Sequence, residues 1–218
     1  MPPEASGACV AHMEDVLDVY TRPDDPRVPQ VCMDETRKQR VGETRVPIPA
    51  APGRPRRSDS EYERHGVSTL FLFVKPLQGW RHVQVTDRRT TQDWAHAIHA
   101  LVEVHYPDAE RSVRVMDTRN THGIGSRDET FPPDEAKRLS RTLERHDTPR
   151  HGSWLTIAEI ERSVLSRQCL DRRIPEQTAL TEAVAQWTHD RTAARGTVDW
   201  RFTTTDARIK LQRLYPSL

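Results

Sequence analysis

The sequence predicts an α/β fold, a mixed sheet with helices on both faces. Three observations predict it. Two strand-like runs, Ser68–Lys75 (STLFLFVK) and Arg81–Asp87 (RHVQVTD), flank a turn at Gln78-Gly79 and read as a hairpin. Two further apolar runs, Val31–Met33 and Ser112–Met116, each lead straight into an aspartate. Apolar residues then recur at helical spacing through most of the second half. Strands first, then strands mixed with helices, then mostly helices is the order of a sheet packed on both sides.

Met1 to Gly7 reads as a frayed tail. From Cys9 to Tyr20, Val10, Met13, Val16, Leu17 and Tyr20 fall on one helical stripe, and the proline-rich Arg22–Pro29 ends that helix. Val31–Met33 is a short strand closing on Asp34 and Glu35. Val46–Ser60, with its prolines and arginines, reads as an exposed loop ahead of the hairpin. Thr90 to Tyr106 is a helix capped by Thr90 or Thr91, with Trp94, Ile98, Leu101, Val102 and His105 on its inner face. A helix with proline at its start runs from Pro132 to about Arg145, through Leu139 and Leu143. Trp154–Leu170 and Glu176–Ala194 are two more helices, and Val198–Leu214 is a short strand followed by a basic helix. The stretch Thr118–Thr148 is expected to be soft. Gly123 and Gly125 disfavour a helix, and Arg145–Asp147 is too charged for a buried strand.

With 218 residues the chain can hold one good-sized domain with tails. Its formal charge of +1 provides no global field for nucleic acid, so any DNA surface must come from local clustering of Arg and Lys. Cys9, Cys32 and Cys169 are odd in number and far apart, which argues against a disulfide framework or zinc site; Cys32 reads as a small buried residue. A reducing cytoplasm is the expected compartment. No apolar stretch has the length of a membrane span or a signal core.

Three acids stand out by position. Asp34 and Asp117 each follow a strand, and Glu159 sits in a largely apolar helix. If the two strands are neighbours, both aspartates emerge at one sheet edge, where a packed helix can bring Glu159. Carboxylates gathered so closely repel one another unless a cation lies between them, and an all-oxygen set suits Mg²⁺ or Mn²⁺. From spacing alone the plainer alternatives stay open. A strand-end acid is commonly a solvated turn residue, and a Glu near a helix start complements the macrodipole. His96, His99 and His105 are spaced for a helix, but His99 and His105 share no metal-ligand spacing with a carboxylate, and the three read as structural or exposed. Lys210 and Arg213 read as surface charges, and Trp154 as a packing residue.

The block Thr148–Glu161 (TPRHGSWLTIAEIE), continued by Ser163–Ile174 (SVLSRQCLDRRI), resembles the third-acid block of bacterial insertion-sequence transposases of the mariner superfamily, the IS six-thirty branch. Further blocks agree in order: Met13–Tyr20 (MEDVLDVY), Val31–Glu35 (VCMDE), Gly79–Thr90 (GWRHVQVTDRRT), Asn120–His122 (NTH) and Val198–Pro216 (VDWRFTTTDARIKLQRLYP). The resemblance implies a ribonuclease-H-like fold. It also implies a tail and linker helix over 1–27, a catalytic domain over 28–218, and no counterpart of the family's helix-turn-helix DNA reader. Asp34, Asp117 and Glu159 become the catalytic residues and the ligands of two Mg²⁺ or Mn²⁺ ions in DNA strand cleavage and transfer. Asn120, His122, Arg150, His151, Arg54, Arg56 and Arg57 become candidate DNA contacts. The implied partners are transposon-end and target DNA and a second copy of the chain, in the cytoplasm of a bacterium and at its nucleoid. Departures from the family pattern, in Gly123–Glu129, Leu143–Pro149 and Thr156, raise a second reading. In it the chain is a partly decayed transposase remnant that keeps the fold with little or no catalytic activity.

Overall fold

A computed structural model describes residues 6–117 and 125–216. Expectations for Asn120, His122 and Gly123 fall outside the described residues. The chain opens with helix α1 (Gly7–Tyr20), whose first turn is capped by the Ser6 hydroxyl accepting from the Cys9 amide. Strands β1 (Gln30–Glu43), β2 (Tyr62–Lys75) and β3 (Trp80–Thr86) follow as an antiparallel meander. Helix α2 (Thr91–Ala100) begins at a reciprocal capping box between Thr90 and Asp93 and ends in a π-helical turn, Leu101–His105. Strand β4 (Ser112–Asp117) is followed by the one-turn helix α3 (Gly125–Asp128), helix α4 (Pro133–Thr142) and strand β5 (Leu143–Thr148). A 3₁₀ turn at Ser153–Leu155 leads into α5 (Ile157–Leu165), which a π-helical turn extends over Ser166–Leu170. Helices α6 (Gln177–Ala193) and α7 (Thr204–Lys210) and a 3₁₀ turn at Gln212–Leu214 complete the described chain.

The five strands form one sheet in the order β3-β2-β1-β4-β5. β1 pairs antiparallel with β2 and parallel with β4, and β5 lies parallel to β4 at the far edge. This is the mixed sheet flanked by helices that the sequence predicts.

The period-two alternation of a strand sorts side chains onto two faces. Cys32, Leu72, Val74, Val113 and Val115 point to one face and pack with Met13, Val16, Leu17 and Tyr20 of α1 and with Ile157 and Ala158 of α5. Val31, Met33, Phe71, Phe73 and Met116 point to the other, against Trp94, Ala97, Ile98 and Leu101. A third cluster joins Leu70 to Leu165, Leu180, Val184 and Trp187, seating α6 beside β3. β2 is continuous and apolar from Leu70 to Val74 because both of its faces are covered.

Three expectations need correction. Asp34 does not end its strand: β1 runs on to Glu43, paired first with buried β2 residues as far as Ser68 and then with the exposed Tyr62–Val67 as a two-stranded arm. What stops at Asp34 is the pairing with β4, whose last partners are Met33 and Met116. The loop Val46–Ser60 is the tip of this arm, pinned by bridges between Ile48 and Arg57 and between Ala51 and Arg54.

The second correction concerns Leu143–Thr148, expected as a helix end followed by an irregular charged stretch. It is strand β5. An edge strand tolerates charge when every charge finds a partner, and here Arg145 meets Asp147 at 2.7 Å and Glu144 meets Arg22 at 2.7 Å. His146 meets Asp15 at 2.7 Å. The third is the absence of a strand at Val198–Phe202, where the backbone joins no ladder. Val198, Trp200 and Phe202 serve as partly buried cover for the α1 core instead.

Candidate active site

Sheet register delivers the first two acids. Asp34 and Asp117 each directly follow the last paired residues of two adjacent parallel strands. Each lies two positions beyond an inward residue, Cys32 and Val115, of the face covered by α1 and α5. Alternation therefore turns both carboxylates toward α5, at the carboxyl end of β4 and at the point where β1 parts from it. The chain leaves β1 toward β2 on one side and returns as β4 on the other, and in open α/β sheets ligands bind at such a switch point.

Glu159 arrives from α5, in its first turn rather than mid-helix. Tyr20 of α1 fixes the start of that helix. Its hydroxyl donates to the Leu155 carbonyl at 2.7 Å and accepts from the Ile157 amide at 3.4 Å. The preceding Pro149–Gly152 turn is tight. His151 takes a left-handed φ of 63° and the Gly152 amide donates to the Pro149 carbonyl at 2.7 Å. A β-carbon on Gly152 would stand 2.5 Å from Pro149 Cγ, so only glycine fits there.

Asp34, Asp117 and Glu159 line one polar pocket together with Glu35, Arg89, Ser153, Thr156 and Arg162. Burial raises the Asp34 carboxyl to about 6 against the pull of Arg162 and the Glu35 amide, and the charges of Glu159 and Asp117 add to the rise. Asp34 Oδ1 accepts from the Glu35 amide at 2.7 Å, whereas the buried Oδ2 has no aligned hydrogen-bond donor. Arg162 Nε does lie 2.9 Å from Oδ2 as an ion pair, and Arg162 Nη2 lies 3.0 Å from Glu159 Oε1. Arg89 pairs with the buried Glu35. Among the described residues no three His, Cys, Asp or Glu side chains form a ready-made metal site. The donor set nonetheless fits a hard divalent cation. It is all oxygen, it is mutually repulsive, and it includes a buried carboxylate oxygen that lacks a hydrogen-bond donor.

The other candidates lie apart from the pocket lining. Arg150 is exposed and His151 half-buried in the turn before α5. Arg54, Arg56 and Arg57 are exposed at the arm tip. From Asp34 to the end of β1 at Glu43 the arm reaches roughly 30 Å at ordinary strand rise. His99 pairs with Glu135 at 2.9 Å, and His105 packs against His82 and Trp80. Cys32 is buried beside Tyr20, and burial pushes its thiol up to about 12. Trp154 is 41% exposed and meets Phe202 edge-on, so it packs on one side only.

Sequence reasoning missed Arg162, Glu35, Arg89 and Tyr20. The signal for Arg162 was present, since Glu and Arg three apart on a helix are neighbours. Arg89 and Tyr20 reach the site only through the fold.

A profile for DDE superfamily endonucleases matches residues 29–181, well over half of the chain and all three acids. The chain belongs to the DDE superfamily endonuclease family. No curated protein matched it. Among solved structures it is similar to the Mos1 mariner paired-end complex with Mn, at 15% identity and a TM-score of 0.56, over 90% of this chain and 60% of that one. It is also similar to the Mos1 strand transfer complex, at 12% identity and a TM-score of 0.55, over 88% of this chain and 62% of that one. The DDE chain thus spans about three fifths of the length of these two structures, and at such identities they share its fold, a ribonuclease-H-like mixed sheet. No helix among the described residues is long and apolar enough to cross a membrane.

Proposed function

We propose that this DDE domain cleaves and joins DNA strands in transposition, with Asp34, Asp117 and Glu159 as the ligands of Mg²⁺ or Mn²⁺. The observation that carries this reading is the convergence of the three carboxylates, from two adjacent parallel strands and one helix, in one polar pocket at the sheet switch point. The Mos1 structures support it, one described as a paired-end complex with Mn and another as a strand transfer complex. A pair of such ions, when bound, activates the attacking oxygen and stabilises the leaving oxygen of a phosphodiester.

The residues of the chain supply position and charge. Asp34 and Asp117 are held by the sheet, whose strands are buried on both faces up to Met33 and Met116. Glu159 stands on a helix start braced by Tyr20 and the Gly152 turn. Arg150 and His151, next to that helix, and Asn120 and His122, by family resemblance, are assigned to backbone phosphates. Arg54, Arg56 and Arg57 would touch DNA well away from the acids. Such contacts position DNA without reading its sequence. The IS six-thirty assignment and pairing with a second copy belong to the same proposal.

The test is nicking of supercoiled plasmid by the purified chain with Mn²⁺. Nicking by the unaltered chain and its loss in Asp117→Ala and Glu159→Gln are expected. Equal nicking by Asp117→Ala would remove the assignment. A second reading, the fold without the activity, is favoured by the arginine that pairs with two of the three acids. Absence of nicking in any divalent metal, with the chain folded, would select it.

A further inference from the structure

Arg162 stands one helical turn after Glu159 and reaches back over it. Its guanidinium touches two acids from different elements, Asp34 Oδ2 at 2.9 Å and Glu159 Oε1 at 3.0 Å. A cation that bridges the strand acid and the helix acid holds the place where a divalent ion would gain most. The contact to Asp34 is an ion pair without hydrogen-bond alignment, since Oδ2 has no aligned donor. It therefore lacks the directional strength of a bidentate pair. The Arg162 side chain also remains 34% exposed, so it can rotate outward without opening the core.

The contrast with Arg81 and Arg191 shows that this is not simply how the fold disposes of arginines. Those two converge on Glu161, the next acid of the same helix. Arg81 forks onto both of its oxygens at 2.9 Å with its side chain fully buried, and is not free to leave.

We propose that Arg162 is a tethered counter-cation that competes with the divalent ion for Asp34 and Glu159, so that metal loads only when Arg162 swings out. This rests on the reading of Asp34, Asp117 and Glu159 as a metal site. Arg162 brings one positive charge to a pocket of three carboxylates, two of which it touches, and restrains their repulsion in the metal-free chain. A divalent ion brings two and displaces it at a cost in apparent affinity. That cost equals the ratio of closed to open side-chain states, so a tenfold preference for the closed state weakens apparent binding about tenfold.

The experiment titrates Mn²⁺ into the full 218-residue chain at low salt and reads free Mn²⁺ by electron paramagnetic resonance, with melting curves in parallel. The chains are wild type, Arg162→Gln, Arg162→Lys, and each of the three combined with Asp34→Asn. Arg162→Gln is expected to bind Mn²⁺ about tenfold more tightly or better than wild type. Arg162→Lys, which keeps the charge and loses the two-oxygen reach, is expected to gain less. Asp34→Asn should erase both gains. Without metal Arg162→Gln should melt below wild type, and Mn²⁺ should raise its Tm by more.

If Arg162→Gln and Arg162→Lys both bind no tighter than wild type while Asp34→Asn abolishes binding, the competition is refuted and the metal-site reading survives. If no folded variant holds Mn²⁺, both fall. Should Arg162→Gln fail to fold, Arg162→Lys decides alone, and affinity equal to or below wild type overturns the proposal.

Discussion

Helix α5 carries two acids two residues apart, and their surroundings differ in kind. Glu161 is buried and fully satisfied. Arg81 and Arg191 donate to both of its oxygens at 2.9–3.2 Å. Burial pushes its carboxyl up, yet the two guanidiniums prevail and hold it below the usual range. Glu159 opens on a pocket with Asp34 and Asp117, where Asp34 is raised to about 6 and one of its buried oxygens lacks an aligned donor. A polar cluster that is complete rigidifies a fold, while one that is incomplete is either a defect or a place for something else to bind. The proposed function takes the second, which the match to a DDE endonuclease family supports. The first cluster anchors α5 and α6 to β3, and the second uses the helix so anchored.

The comparison breaks most visibly in catalysis. Asp34→Asn, Asp117→Asn or Glu159→Gln should each cost orders of magnitude in metal-dependent nicking, because each removes a charge from the transition-state environment. Melting temperature in the absence of metal should hold or rise, since mutual repulsion is relieved. A large fall in Tm with any of the three would show that the triad is structural, like Glu161.

The opposite signature belongs to the buried cluster. Arg81→Met leaves Glu161 with Arg191 alone and should destabilise the chain by about 3 kcal/mol, the range for breaking a buried pair from one side. Arg81→Met with Glu161→Leu should recover most of that loss. Urea midpoints of the two single variants and the double form the test, and strict additivity would deny the coupling.

Much of this was legible in the sequence, and the reasons for what was not are physical. The hairpin core, the β4 aspartate and the helices on both sides follow from period and capping, because both faces of the sheet demand apolar residues. Asp34 and Asp117 could be placed because the apolar runs end at Met33 and Met116 and each leads straight into an aspartate. Strand β5 was not legible. Its sequence, LERHDT, has no apolar alternation, and apart from the local Arg145–Asp147 pair its charges are met by Arg22, Arg111 and Asp15, all remote in sequence. The arm was misread for a related reason. Once β1 leaves β4 its residues Thr36–Arg40 are all polar, and without an apolar alternation such a strand reads like a loop. Likewise, Glu161 looks like any helix charge until Arg81 and Arg191 fold onto it.

A smaller effect tests the β5 pairing. Burial raises the Glu144 carboxyl, but hydrogen bonds from Arg22, His146 and Arg111 outweigh that and lower it to about 2. A carboxyl depressed on folding adds stability that is complete above its unfolded value near 4.3 and is lost as pH falls through about 2. Glu144 is 24% exposed and its arginine partners are more so, which makes screening substantial. Glu144→Gln should therefore cost only about 1 kcal/mol at pH 7. The difference from wild type should shrink steadily below pH 4. A difference that is constant with pH would mean that packing, not charge, is what Glu144 supplies.

The smallest effect on the fold should come from the arm, whose arginines are a third kind, neither locked like Arg81 nor bridging like Arg162. Arg54, Arg56 and Arg57 are exposed, and Arg56 pairs with Glu43 only at 3.4 Å with its side chain 61% exposed. Such pairs contribute at most about 1 kcal/mol and often nothing. Replacing all three by Ala should leave the Tm unchanged, and Mn²⁺ binding too, because the tip lies roughly 30 Å from Asp34 along the arm. DNA affinity should still fall. If each arginine neutralises one phosphate, the dependence of log affinity on log salt should flatten by up to about 3 units. An unchanged slope would take the arm tip out of the DNA surface and leave Arg150 and His151 as the described candidates. A lost Tm would show that the tip bridges, Ile48 to Arg57 and Ala51 to Arg54, hold more of the fold than their exposure suggests.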